Sequence, residues 1–319
     1  MAKKLYIQLI IINSILLFNN SASAWGFYGH KKINETAVYT LPKPLFGFYK
    51  THVEYITNHA VDADKRRYII SEEACRHFLD GDFYERSLPL DTIPKFYKDA
   101  IAKYTEDTVL HHGIVPWHIQ TMMYRLTEAF KMKDAPKILK YSADLGHYIG
   151  DCHVPLHASS NYNGQKTNQV GIHGLWESRL PELFNSEYDF FTGVAIYVDK
   201  PVNDIWKAYE QSFSLVDSVL KTEEKVSLLF PLDKKYAFET RGTQLVKVYS
   251  QEFSKAYHLA LGNMVENRLR ASINLLGNLW YTCWINAGQP DLPNMPKEEE
   301  TKEEEAPIQQ EKMIGREEE

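Results

Sequence analysis

Apolar side chains recur at helical spacing along most of this chain. From residue 134 to 152, Ile138, Leu139, Leu145, Tyr148 and Ile149 form one stripe, Asp134 stands at a capping position, and Pro155 stops the run. Residues 203 to 221 repeat the pattern with Ile205, Trp206, Tyr209, Phe213, Val216 and Leu220. Residues 244 to 285 carry it through Leu245, Tyr249, Phe253, Leu261, Ile273 and Trp280, long enough for two helices with a break near Gly262 or Gly277. Strict alternation over the length of a strand is hard to find. The pattern predicts an all-α body, with most of the aromatic side chains between 195 and 285 in its core.

The two ends differ from the body. Lys3 and Lys4, an apolar stretch to Phe18, and the small-residue ending Ser21-Ala22-Ser23-Ala24 are ordered as in a secretory signal peptide over residues 1–24, giving a mature chain that starts at Trp25. Gln8, Asn13 and Ser14 interrupt the apolar run, which favours cleavage over a transmembrane anchor and predicts a secreted or periplasmic protein. Residues 291–319 hold eleven acids against four bases, a composition too poor in apolar side chains to offset the cost of ordering by burial. One domain over 25–290 remains. The whole chain carries -6, but that body is close to neutral, which argues against a duplex DNA binder relying on a basic face. Three scattered cysteines are too few for a disulfide scaffold or a thiolate metal cluster.

The chemistry concentrates in Leu145-Gly146-His147-Tyr148-Ile149-Gly150-Asp151-Cys152-His153-Val154-Pro155-Leu156-His157. His147 and Asp151 stand four apart, on one face of the predicted helix and within reach of one cation. His173 and Glu177 repeat the spacing, and His157 lies between the pairs. One such pair usually means a surface ion pair or a satisfied core histidine. Two pairs around a third histidine supply nitrogen and oxygen donors without thiolate, the set expected for hydrolytic zinc. The neighbouring histidines read more blandly: His111, His112 and His118 as a loop feeding a helix near Pro116, and His153 as an imidazole turned away from the Asp151 face. Cys152 projects about 100° from its neighbour on a helix and reads as a small buried filler.

With Trp25-Gly26-Phe27-Tyr28-Gly29-His30 at the expected mature start, this segment resembles the superfamily of bacterial zinc-dependent phospholipase C and fungal single-strand-specific nucleases. The resemblance runs through residues 25 to 180 by its motifs. It implies an all-helical fold with three zinc ions in a cleft. Carried over by position, it assigns Trp25, through its free amino group and carbonyl oxygen, and His30 to one ion, with Asp151 bridging to a second. Asp64, His77 and His147 complete the second ion, and His157, His173 and Glu177 hold the third. His77 lies in Arg76-His77-Phe78-Leu79-Asp80, close to the family's His-Phe-Ile-Asp step. Val61-Asp62-Ala63-Asp64 lacks the tryptophan that often precedes the family's Ala-Asp step, so Asp62 competes with Asp64 as ligand. Asp64 is also the candidate to orient the attacking water and take its proton.

The resemblance implies hydrolysis of a phosphoric ester bond, in a phospholipid or in a single-stranded nucleic acid. Glu177, His157-Ala158-Ser159-Ser160-Asn161 and Gly171-Ile172-His173 look closer to the phospholipase branch; Leu175-Trp176-Glu177-Ser178 resembles the nuclease Trp-Asp step. The phospholipase reading is the favoured one. A zinc-binding protein without turnover is the third possibility, set back by the open, thiolate-free donor set.

An α-amino group has an ordinary pKa of about 7.7–8.0, so a cation displaces its proton near neutral pH at little cost. One residue added before Trp25 should move that amine out of reach and weaken zinc binding at the first site. Zinc per chain in the extended and authentic mature forms, measured beside N-terminal sequencing, checks this.

Overall fold

The computed structural model describes residues 26–241 and 244–292. The expected signal peptide, Trp25 and nearly all of the acidic tail lie outside the described residues. What is described is helical apart from one hairpin, as the apolar periodicity predicts. The elements that carry the argument are α1 (Gly26–Val38), α2 (Val115–Met132), α3 (Ala135–Cys152), α4 (Pro201–Ser227), β1 (Tyr236–Arg241), β2 (Gln244–Tyr249), α5 (Gln251–Leu261) and α6 (Met264–Asn286).

Helix α3 is the axis. Asp134 caps it by accepting a hydrogen bond from the Lys137 amide at 3.1 Å, and the chain leaves helical geometry at His153, just before Pro155. Its second half, from Ser142 to Cys152, is buried at every position, which requires a neighbour on each side. Helices α1, α2, α4 and α6 supply those neighbours. The last of them is tied to α3 by hydrogen bonds: Trp280 donates its indole N–H to the Ser142 carbonyl at 3.2 Å, and Arg268, also on α6, donates to the carbonyls of His153 and Ala208. Arg268 thus ties the carbonyl end of α3 to α4, where a cation is favourably placed.

Two glycines one turn apart on α3 set how closely α1 can approach. A Cβ at Gly146 would lie 1.8 Å from Asn34 Oδ1, and one at Gly150 would lie 3.0 Å from His30 Nδ1. Asn34 spans the gap, donating to the carbonyls of Ile56 and Ala143. The glycines therefore let α1 lie against α3 closely enough to bring His30 alongside Asp151.

The C-terminal third departs from the periodicity in one place. The break between α5 and α6 falls at Gly262, whose φ of +60° suits glycine, whereas Gly277 lies within α6. Residues 244–249, however, are not helix. They form β2, antiparallel to β1, with Tyr236 opposite Tyr249, Glu239 opposite Val246 and Thr240 opposite Leu245. The alternation was hidden because the outer side chains of the hairpin are apolar too: Phe238 is 68% and Leu245 69% exposed. Among the described residues no helix is long and apolar enough to cross a membrane.

Gly146→Ala should destabilise the protein by about 1–3 kcal/mol, since overlap with Asn34 and Leu276 outweighs the roughly 1 kcal/mol of helix propensity gained. Gly47→Ala is the control: a methyl group on that exposed helical glycine would meet no atom within 4 Å, and the substitution should be neutral or stabilising. Thermal unfolding of both variants checks the pair.

Candidate metal centre

Six segments deliver donors to one interior spot. His30 comes from α1 and Asp64 from the short helix Asp62–Arg66. His77 follows the 3-10 turn Ala74–Arg76. His147 and Asp151 come from α3, one turn apart. His157 comes from the turn Pro155–Ala158 that begins where α3 ends. His173 and Glu177 come from Ile172–Gly174 and the π-helical turn Leu175–Arg179. All of these side chains are buried.

Their donor atoms fall into three groups: His30, His147 and Asp151; Asp64, His77 and His147; His157, His173 and Glu177. The Asp151 carboxylate bridges. Its Oδ2 lies 2.9 Å from His77 Nδ1 and 3.3 Å from His147 Nε2, while Oδ1 lies 3.4 Å from His30 Nε2 and 3.9 Å from His157 Nδ1. Asp64 Oδ1 is 3.5 Å from His147 Nε2 and 3.8 Å from His77 Nδ1. In the third group Glu177 Oε2 lies 3.0 Å from His173 Nε2 and 3.3 Å from His157 Nε2. The His30 and His147 rings stack at 3.8 Å.

Hydrogen bonds to backbone fix which nitrogens face inward. His147 Nδ1 donates to the Ala60 carbonyl at 2.8 Å, and His157 Nδ1 to the His77 carbonyl at 2.6 Å. A carbonyl only accepts, so each Nδ1 carries hydrogen and each Nε2 is turned to the carboxylates. His77 Nδ1 and His147 Nε2 face each other at 3.1 Å, an approach that two nitrogen lone pairs tolerate only with a proton or a cation at hand. His30 finds no hydrogen bond for either ring nitrogen, and His157 Nε2 and Asp151 Oδ1 are likewise without one. Adjacent donors on a tetrahedral zinc ion, with bonds of about 2.0–2.2 Å, sit about 3.3–3.5 Å apart. The separations in the second group, 3.1, 3.5 and 3.8 Å, surround that value. Orphaned buried polar atoms, inward-facing nitrogens and donor spacing all fit divalent cations of the zinc type.

The electrostatics make the same demand. Burial opposes charge on His147, yet the carboxylates of Asp151 and Asp64 outweigh it and hold the imidazole well above the ordinary histidine pKa. Burial also opposes charge on Asp151, and His147 and His157 outweigh it, holding the carboxylate well below its ordinary range. Asp64 is pulled down to about 2, against burial, chiefly by His147. Without a metal the carboxylates recruit protons onto imidazoles; a divalent ion competes for the same positions and releases those protons.

Other residues singled out from the sequence lie elsewhere. Asp62 is engaged by His59 at 2.5 Å and Lys65 at 2.9 Å and belongs to none of the three groups, whereas Asp64 does. Trp25 lies outside the described residues. His111 is exposed, and His112 stacks on Phe83 at 3.5 Å. His118 packs edge-on against Tyr148 at 4.5 Å. His153 donates Nδ1–H to the Ile149 carbonyl, and burial together with Arg268 holds it well below the ordinary value. Cys152 is a buried thiol, as are Cys75 and Cys283.

Sequence reading missed the surroundings of His77. Glu73, fully buried, accepts hydrogen bonds from the Tyr148 hydroxyl and from Arg76. Arg66 lies 3.5 Å from the same carboxylate and donates to Asp144 on α3. The signal was present: Glu73 and His77 stand four apart, the pair spacing read in reverse. Another unforeseen contact is Arg179, just beyond Glu177, which grips Glu239 of the hairpin through two hydrogen bonds.

No protein-family model and no curated protein matches this chain. Among solved structures it is similar to the alpha-toxin of Clostridium perfringens from avian strain SWCP, at 11% identity and a TM-score of 0.46. The match covers 85% of this chain and 66% of the toxin chain.

His118 offers a check that avoids the donor groups. Burial, then Arg76, lowers its pKa to about 3, so the folded form stays neutral while the unfolded chain takes up a proton below about 6.5. The stability this confers is present above pH 6.5 and lost as pH falls toward 3. His118→Gln should unfold less steeply with acid over that window, by roughly 1–3 kcal/mol at pH 4, with zinc content unchanged. Denaturant titrations at pH 7 and pH 4 check it.

Proposed function

We propose that this protein is a secreted, zinc-dependent phosphodiester hydrolase of the phospholipase C type. The observation that supports it best is the bridged, buried, thiolate-free donor set, with Asp151 between two groups and His147 belonging to both. A structural zinc site is closed, four-coordinate and often rich in cysteine. Three adjacent groups of three donors, two of them sharing His147, leave room for exogenous ligands instead.

Trp25 and His30 would hold one zinc ion with Asp151, Asp64, His77 and His147 the second, and His157, His173 and Glu177 the third. When bound, such ions supply Lewis acidity and bring the pKa of a coordinated water toward about 7. Three divalent ions against three carboxylates leave a cationic surplus, which attracts a phosphodiester and stabilises charge developing at phosphorus and on the leaving oxygen. The chain's own residues do the positioning. His147 and His157 are held by backbone carbonyls with Nε2 inward, so neither ring must turn when substrate arrives. Asp64 is the residue we assign to the attacking water. Its carboxylate, 3.5 Å from His147 Nε2, would accept a hydrogen bond from the nucleophile and orient it.

The substrate assignment follows the resemblance of Glu177 and the residues after His157 to the phospholipase branch. Purified zinc-loaded protein should hydrolyse phosphatidylcholine and the small ester bis(p-nitrophenyl) phosphate. Vigorous cleavage of single-stranded DNA or RNA with no lipid turnover would move the protein to the nuclease branch, and full zinc occupancy with no hydrolysis at all would make it a binding protein. Asp151→Asn should lose metal from two positions and at least 100-fold in rate, and Asp64→Asn should lose rate more than metal. Zinc analysis beside the phosphodiester assay separates the two.

A further inference from the structure

We infer that Glu73 is a positioning residue for the metal centre: a buried carboxylate behind His77 that fixes the hydrogen of that imidazole on Nε2 and frees Nδ1 for a cation. The inference rests on the metal reading above and adds a residue that the donor pattern does not contain.

His77 has two ring nitrogens in different company. Nδ1 lies among Asp151 Oδ2 at 2.9 Å, His147 Nε2 at 3.1 Å and Asp64 Oδ1 at 3.8 Å. Nε2 faces away from them and makes no hydrogen bond; Glu73 Oε1 lies 3.7 Å from it. A cation among the donors needs the Nδ1 lone pair, so the ring hydrogen has to reside on Nε2, and Glu73 is the carboxylate facing it. A carboxylate behind a ligating imidazole sets its tautomer and strengthens it as a donor.

The surroundings of Glu73 suit this part. Its anionic charge is balanced by Arg76 at 2.5 Å and Arg66 at 3.5 Å, and the Tyr148 hydroxyl donates to Oε1. Both arginines are about a quarter exposed, while Glu73 is fully buried, so the charges that keep it ionised lie on the solvent side and the carboxylate lies on the His77 side. Arg66 also binds Asp144 at 2.9 Å, and Tyr148 stands next to His147 in the chain, so two of the three partners of Glu73 reach α3. The network joins the back of His77 to the helix that presents His147 and Asp151. Two arginines could have been neutralised by a surface acid; instead the acid sits behind a proposed ligand.

The test is Glu73→Gln in the mature, full-length protein, with zinc affinity read by competition against a chelator and stability read on the metal-free form. One of the three zinc ions should bind 10–100-fold more weakly, the other two should be unchanged, and Glu73→Asp should recover part of the loss. Unchanged affinity at all three positions, with a fall only in the metal-free melting temperature, would reduce Glu73 to a structural counter-ion and overturn the inference. Should the Gln variant fail to fold, nitrogen-15 NMR of the zinc-loaded wild type decides: His77 should carry hydrogen on Nε2 and none on Nδ1, and the opposite tautomer overturns it. A wild-type protein that binds no zinc sinks the metal reading and this inference together; one that binds three ions, with Glu73→Gln indistinguishable from it, sinks this inference alone.

Discussion

Three carboxylates gathered with five imidazoles in the interior constitute the constraint around which this protein is built. Burying an ionised carboxylate is costly unless something cationic is supplied, and the repulsion between Asp64, Asp151 and Glu177 would drive them apart if each were left to itself. The helices hold them nonetheless. Helix α3 carries Asp151 and His147 on one turn, α1 is drawn in by the two glycines, and the carbonyls of Ala60 and His77 lock the imidazoles that face the acids. Such a site favours positive charge among its carboxylates.

The second consequence of the same constraint is that the placement of the donor groups depends on residues beyond the donors themselves. The pairing of His157 with the backbone of His77 is reciprocal: Nδ1–H of His157 reaches the His77 carbonyl, and the Leu79 amide reaches the His157 carbonyl at 3.0 Å. The segments bearing two separate donors are thereby held in register with each other. On the far side, Tyr209 of α4 donates to the Leu79 carbonyl and Ser212 to the Cys152 carbonyl, so a helix that contributes no donor still fixes where two donor segments lie.

How much of this could be read from the sequence depends on range. Local signals were sufficient for α3, where a capping aspartate, an apolar stripe and a proline bound the helix, and for the two His-x-x-x-acid pairs, whose geometry is set within one turn. For the break between α5 and α6 they offered Gly262 and Gly277 without choosing between them. The hairpin escaped because Phe238 and Leu245 put apolar groups where solvent-facing polar residues mark a strand, leaving β-branched and aromatic residues that also fit a helical count. Glu73 escaped for a different reason. An acid between two arginines reads as a surface ion pair until tertiary packing places it at zero exposure behind His77, and burial is a property of the whole fold. The choice between Asp62 and Asp64 was of the same kind, since the residues that divert Asp62, His59 and Lys65, flank it in sequence and gave no sign of which acid turns inward.

Helix α6 has a bearing on how the molecule comes into being. Every donor in the described residues has been synthesised once the chain reaches residue 177, yet the wall that covers them, with Trp280 on Ser142, Leu276 beside Gly146 and Arg268 on the end of α3, is made about a hundred residues later. For that interval the nascent polypeptide owns the eight donor side chains and not the helix that covers them. Donor supply and structural closure are thus separated in time, and α6 decides when a loose cluster of acids and imidazoles becomes a defined interior.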